Sequence, residues 1–169
     1  MSPMAPPALS YTNRRGQVYY LHAGTTTTGK VRYFVAKAVG PGALSELPEG
    51  LEIVESINGV VSVRRIDPNA PRVPDGDLAR VRSELANHAH LRSHRAEVVK
   101  GEIIVFEPIV GTRYAPVMRL MPSGAGYAVF RMTYRGDGGW SWPLAHGPLE
   151  ELATRYLKQI GTDEFFELD

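Results

Sequence analysis

A chain of 169 residues, 43% hydrophobic, can bury a sizeable core in one domain or in two small lobes. Its 19 basic and 18 acidic residues leave a net charge of +1, which excludes a surface built throughout for polyanions. The absence of cysteine excludes disulfides, thiolate metal sites and cysteine nucleophiles, and no apolar run approaches the ~20 residues of a membrane span, so the chain reads as soluble and cytoplasmic.

Residues 1–10 hold three prolines and no basic residue, so they read as a disordered lead rather than a targeting peptide. Residues 11–66 follow as a β-hairpin lobe. Its first hairpin pairs the aromatic and β-branched runs 17–21 and 31–36. Between these runs Gly24-Thr25-Thr26-Thr27-Thr28-Gly29-Lys30 resembles, one residue short, the phosphate-cradling loop of nucleotide-hydrolysing proteins. Val31 offers no oxygen to magnesium, however, and a strand rather than a helix follows, which removes the dipole such a site needs. The segment is therefore an exposed hairpin tip. Gly40-Pro41-Gly42 breaks the chain before a second hairpin, in which runs 51–56 and 60–65 flank Asn58-Gly59, two residues that tolerate positive φ. Leu47-Pro48-Glu49-Gly50-Leu51-Glu52 with Asn58-Gly59 resembles the first two strands of a WW domain. Leu51 stands where that family has its first tryptophan and no third strand follows, so binding of proline-rich peptides is not carried over.

The stretch 67–76, rich in proline, aspartate and asparagine, reads as a linker. An α-β-β-β-β-α lobe over 77–169 is expected after it. Asp75 or Asp77 is placed to cap a helix over about 77–90, with Leu78, Val81, Leu85 and Ala89 at helical spacing. Runs 96–99 and 102–106 pair around Lys100-Gly101, and runs 114–120 and 127–134 pair around 121–126. Pro116 cannot donate to a ladder, so its strand is expected at an edge or with a bulge. The last helix, about 148–160, opens on Gly147-Pro148 and buries Leu149, Leu152, Ala153, Tyr156, Leu157 and Ile160 before Gly161 ends it. The fold class is α+β: antiparallel hairpins in one or two small sheets, with two helices on one face, either as two lobes or as one compact domain.

The residues that carry chemistry are sparse. His90 and His94 have the i, i+4 spacing of two metal ligands on one helix, with His88 nearby, but no glutamate or cysteine completes a set. Ser141 and Ser123 lie in no nucleophile elbow, and Glu102 and Glu107 face opposite sides of a strand. Asp137, in a glycine-rich turn, is the most suggestive acid, and no cofactor set is evident. What stands out is basic residues interleaved with rings. Arg14, Arg15, Lys30 and Arg32 accompany Tyr19 and Tyr33, and residues 1–37 contain no acid at all, whereas acids outnumber bases over 147–169. Arginines for phosphates beside rings for stacking make a single-strand nucleic-acid surface, so the expectation is a non-enzymatic binding module whose partner is a nucleic acid or an acidic protein. The alternatives are an interaction or self-association domain using Trp140, Trp142, Phe165 and Phe166, and a small enzyme in which Asp137 or His94 meets two arginines around a phosphorylated substrate. Leu168 beside Phe165 and Phe166 makes the C-terminal stretch apolar enough to be expected to pack.

Overall fold

A computed structural model describes residues 6–133 and 139–166. Its contacts divide the chain into two compact units, residues 1–68 and 69–169. The architecture is α+β, with three small antiparallel sheets and a few helices.

The N-terminal unit holds β1 (Ser10–Thr12), β2 (Val18–Thr25) and β3 (Val31–Ala36) in one sheet, and β4 (Leu51–Glu55) paired with β5 (Val61–Arg65) in another. The β2–β3 register sets Leu21 opposite Val35 and His22 opposite Phe34. Leu21 and His22 are both buried, on opposite faces of the strand. The His22 imidazole stacks on Phe34 with centroids 5.2 Å apart, sits 2.8 Å from the Tyr20 carbonyl through Nδ1, and accepts the Gly40 N–H at Nε2. That pattern fixes the tautomer with the proton on Nδ1.

The edge of β2 is shared. β1 pairs with residues 18–20, and beyond it the Ala23 N–H donates to the Gly42 carbonyl while the Leu44 N–H donates to the Leu21 carbonyl. The segment expected only to break the chain thus completes a sheet edge. Gly42 has φ +86°, and a Cβ there would lie 2.1 Å from the Ala23 oxygen. The second hairpin turns over residues 56–60, and of Asn58-Gly59 only Gly59 takes positive φ. Lys100-Gly101 is the turn in which both residues do so, with φ 50° and 76°.

In the C-terminal unit α1 (Asp75–Asn87) precedes a meander of β6 (Arg95–Val99), β7 (Glu102–Pro108), β8 (Tyr114–Ser123) and β9 (Gly126–Arg131). Then come β10 (Ala145–Gly147), α2 (Leu149–Tyr156) and the short α3 (Asp163–Phe166). The sheet order is β10-β9-β8-β7-β6. Pro116 lies in a central strand, and the ladder accommodates it by a bulge: Val105 pairs with Met118 but Phe106 with Pro116. The skipped Val117 carbonyl accepts the Met132 N–H. Ile103, Val105, Leu120 and Val129 line up across the sheet beneath Val81 and Leu85 of α1 and Leu152, Ala153 and Tyr156 of α2. Phe165 is buried in the same core, whereas Leu168 lies outside the described residues.

The first helix does not start on the expected aspartate cap, while the last opens at Gly147-Pro148 as expected. Pro74 and Pro148 occupy the N-cap positions and no side chain caps either helix. Asp77 instead accepts a 2.6 Å hydrogen bond from the Tyr127 hydroxyl, tying the first turn of α1 to β9. Burial first, and then this bond, push the Tyr127 phenol well above its ordinary range. Arg80 braces α1 against α2, donating to Glu84, Glu150 and Thr154. Of the described helices none is long and apolar enough to cross a membrane.

The Gly42 contact gives a sharp expectation. Gly42→Ala forces both a left-handed φ and a backbone clash, and should cost the N-terminal unit about 3 kcal/mol or more, whereas Gly29→Ala, also at positive φ but with open space around its Cβ, should cost about 1 kcal/mol. Urea unfolding followed by Tyr and Trp fluorescence measures both.

Candidate functional site

The six residues singled out on the first hairpin do not form one patch. Arg14 and Arg15 lie in the β1–β2 turn, and Lys30 lies at the β2–β3 tip, about 25 Å away along the eight residues of β2 at ~3.3 Å each. Tyr19 and Tyr33 share a face with Leu21, while Arg32 lies on the other face opposite Gly24.

Their surroundings separate them further. Asn13 organises the β1–β2 turn: its buried Oδ1 accepts the N–H groups of Arg15 and Gln17, and its Nδ2 donates to Gln17 Oε1 and to the Gly59 carbonyl. Arg14 is spent on Glu55, donating its backbone N–H and its Nε to one carboxylate oxygen while the Tyr11 hydroxyl donates to the other. Burial pushes the Glu55 carboxyl up, but the bonds from Arg14 and Tyr11 outweigh it and hold the group below the usual carboxylate range. Arg14 is therefore a brace between the two hairpins. The Arg15 stem lies against the Gly59 turn.

Lys30, Arg32 and Lys37 are exposed, and none has a carboxylate partner among the described residues. Arg32 lies 5.8 Å over the Phe34 ring and Lys37 lies 6.0 Å over the Tyr19 ring. The threonine-rich loop is a hairpin tip. The Thr26 N–H donates to the Lys30 carbonyl, the Thr26 hydroxyl accepts the Lys30 N–H, and Gly29 takes φ +82°. Those backbone donors point inward, so the loop has no nest of N–H groups for a nucleotide.

The C-terminal unit distributes its candidates differently. α1 ends at Asn87 and a 3₁₀ turn follows over Ala89–Leu91, so His90 and His94 never share a helical face. His88 pairs with Glu84 and the His90 ring contacts the Lys158 carbonyl. No three His, Asp or Glu side chains converge as metal ligands among the described residues. The Ser141 hydroxyl accepts the Arg131 N–H and donates to the Trp142 carbonyl, which leaves it a structural role. Asp137 lies outside the described residues. Trp140 is half-buried beside the Arg119 guanidinium, whereas Trp142 is 90% exposed.

His94 has arginine neighbours of the kind that the enzyme alternative called for without naming them. A pocket of about 290 Å³ opens between the end of α1, the 3₁₀ turn and β6, lined by Arg82, Leu91, Arg92, His94, Arg95 and Glu97 among others. The signal was present in Leu91-Arg92-Ser93-His94-Arg95, a basic cluster directly after a helix, but Arg82 comes from a turn and a half inside that helix and no local pattern announces it.

Replacing Glu55 by glutamine should test the brace. The lowered folded pKa means that the carboxylate's contribution is full above its unfolded value of 4.5 and fades as pH falls through the folded value. Glu55→Gln should therefore cost about 1.5–3 kcal/mol at pH 7, and the gap to the parent should close progressively below pH 4.5, read from urea unfolding across pH. No family model, curated protein or solved structure matches the chain.

Proposed function

We propose that the chain is a non-enzymatic binding module whose N-terminal sheet engages a polyanion, with single-stranded nucleic acid as the class of partner. One observation carries this reading. Lys30, Arg32 and Lys37 stand exposed and, among the described residues, without carboxylate partners on a sheet whose own residues, 10–36, contain no acid, and Arg32 and Lys37 lie over the rings of Phe34 and Tyr19, one on each face. Cations that track phosphates and rings that accept bases are the two requirements of sequence-tolerant single-strand binding. Arg14 leaves the contact set because its charge is neutralised by Glu55, and Arg15 joins at the far end of β2.

A second reading, an interaction domain, is favoured by Trp142 alone. An indole 90% exposed beside Pro143 is an unusual place for a large apolar ring. Phe165 no longer supports it, being buried in the core.

The tests separate the two. The triple variant Lys30→Gln, Arg32→Gln, Lys37→Gln should keep the parent's unfolding midpoint. Its affinity for a labelled oligothymidine of about 20 nucleotides should fall at least tenfold at low salt, and the slope of log K against log salt should flatten by about 2, at ~0.7 per phosphate contact. Binding that is indifferent to salt, or to the triple variant, refutes the nucleic-acid reading. If Trp142 mediates self-association, the parent should sediment as a concentration-dependent oligomer and Trp142→Ala as a monomer.

A further inference from the structure

The pocket beside His94 is built from charge that the rest of the fold does not use. Arg82 donates Nε to the Ala96 carbonyl, which leaves its two terminal amino groups for something else. The Arg95 guanidinium lies 5.0 Å over the Tyr114 ring, a contact that orients the fork without neutralising it. For Arg82, Arg92 and Arg95 no carboxylate lies within ion-pair distance among the described residues. Three arginines from three elements thus line one space of about 290 Å³, with Glu97 the single acid among its described lining residues.

His94 completes the set. Its Nδ1 is cut off from solvent and has no hydrogen-bond partner among the described residues. That atom lies away from the open space, which His94 lines with its other atoms. Surplus positive charge and planar forks select a compact dianion, because guanidinium forks match the oxygens of tetrahedral phosphate in pairs.

We propose that Arg82, Arg92, Arg95 and His94 form a binding site for a phosphate monoester. A cavity of this size holds the phosphate and a small organic group, which places it below the span of a dinucleotide. Arg92, exposed and without an ion-pair partner among the described residues, is the residue that reaches the ligand. Arg82 and Arg95, held by Ala96 and Tyr114, form the fixed floor. Binding draws a proton toward His94. Burial lowers the empty site's imidazole below its ordinary value, with Glu107 opposing and His90 adding to the effect, and Arg82, Arg92, Arg95 and Glu97 are the other charges around it. A bound dianion offsets that burial, so affinity rises as pH falls.

Sulfate is the first probe, since it remains a dianion across the range in which both His94 and phosphate titrate. Titrated into the full chain at constant ionic strength, sulfate should shift the His94 ring resonances saturably and bind more tightly at pH 5.5 than at pH 8. Arg92→Gln, at an exposed position, should weaken binding about tenfold with unchanged unfolding midpoint, while Arg155→Gln on α2 should leave it unaltered. His94→Gln should abolish the pH dependence. Ribose 5-phosphate and a 5′-phosphorylated oligonucleotide then distinguish the source of the monoester: saturation by the sugar phosphate marks a small-molecule site, and saturation only by the oligonucleotide marks a strand-end site. A ring that does not respond to 50 mM sulfate, or a response equal in the parent and Arg92→Gln, would overturn the proposal.

Discussion

A single buried amide holds the N-terminal unit to one geometry. Asn13 is 4% exposed, and its side chain makes all its bonds to turns: two N–H groups of its own loop, Gln17, and the carbonyl of Gly59 in the other hairpin. Two hairpins of five to eight residues per strand are marginal alone, because neither buries enough apolar surface to offset its ordering entropy. Their association depends on polar groups that have no second way to be satisfied. The Tyr11–Glu55–Arg14 cluster adds a charged version of the same device at the same junction. The hydrophobic contribution is correspondingly thin: among the described residues of this unit, Leu21, Ile57 and Val61 are the buried apolar side chains.

The C-terminal unit is organised the opposite way, around a continuous apolar layer between sheet and helices. Polar groups there act at the periphery, where Arg80 joins α1 to α2 and Asp77 receives Tyr127. The layer comes from regular alternation on β7 and β9, and it survives a proline in the central strand because the bulge at Val117 restores the inward phase of Met118 and Leu120. The unit can therefore place a pocket at its rim without disturbing its core. Arg92 and His94 sit on the connection between the 3₁₀ turn and β6, outside the apolar layer that includes Leu91 and Ala96 on either side of them.

Much of the fold was legible because it rests on local rules. Aromatic and β-branched runs between turn residues gave most of the long strands, and the apolar spacing of Leu152, Tyr156 and Ile160 gave the last helix. What the sequence concealed were features settled by distant partners. β1 and β10 are three residues long and exist only by pairing with β2 and β9. The cap of the first helix was misplaced because Asp77 is bonded to a tyrosine fifty positions away. The candidate site followed the same division. A run of basic residues is visible on the page, but whether each is free depends on a carboxylate elsewhere, as Glu55 shows for Arg14. His90 and His94 were weighed as a pair of metal ligands on one helix, but that helix ends at Asn87, and the neighbours His94 gains are arginines.

The hydrogen bond from Arg82 to the Ala96 carbonyl has a meaning beyond the pocket it lines. β6 and β10 are the two borders of the five-stranded sheet, and exposed borders invite strands from other molecules. β10 is too short to template an addition, and along β6 a helix-borne guanidinium occupies a carbonyl that an incoming strand would need. Both features work against growth of this sheet by strand addition.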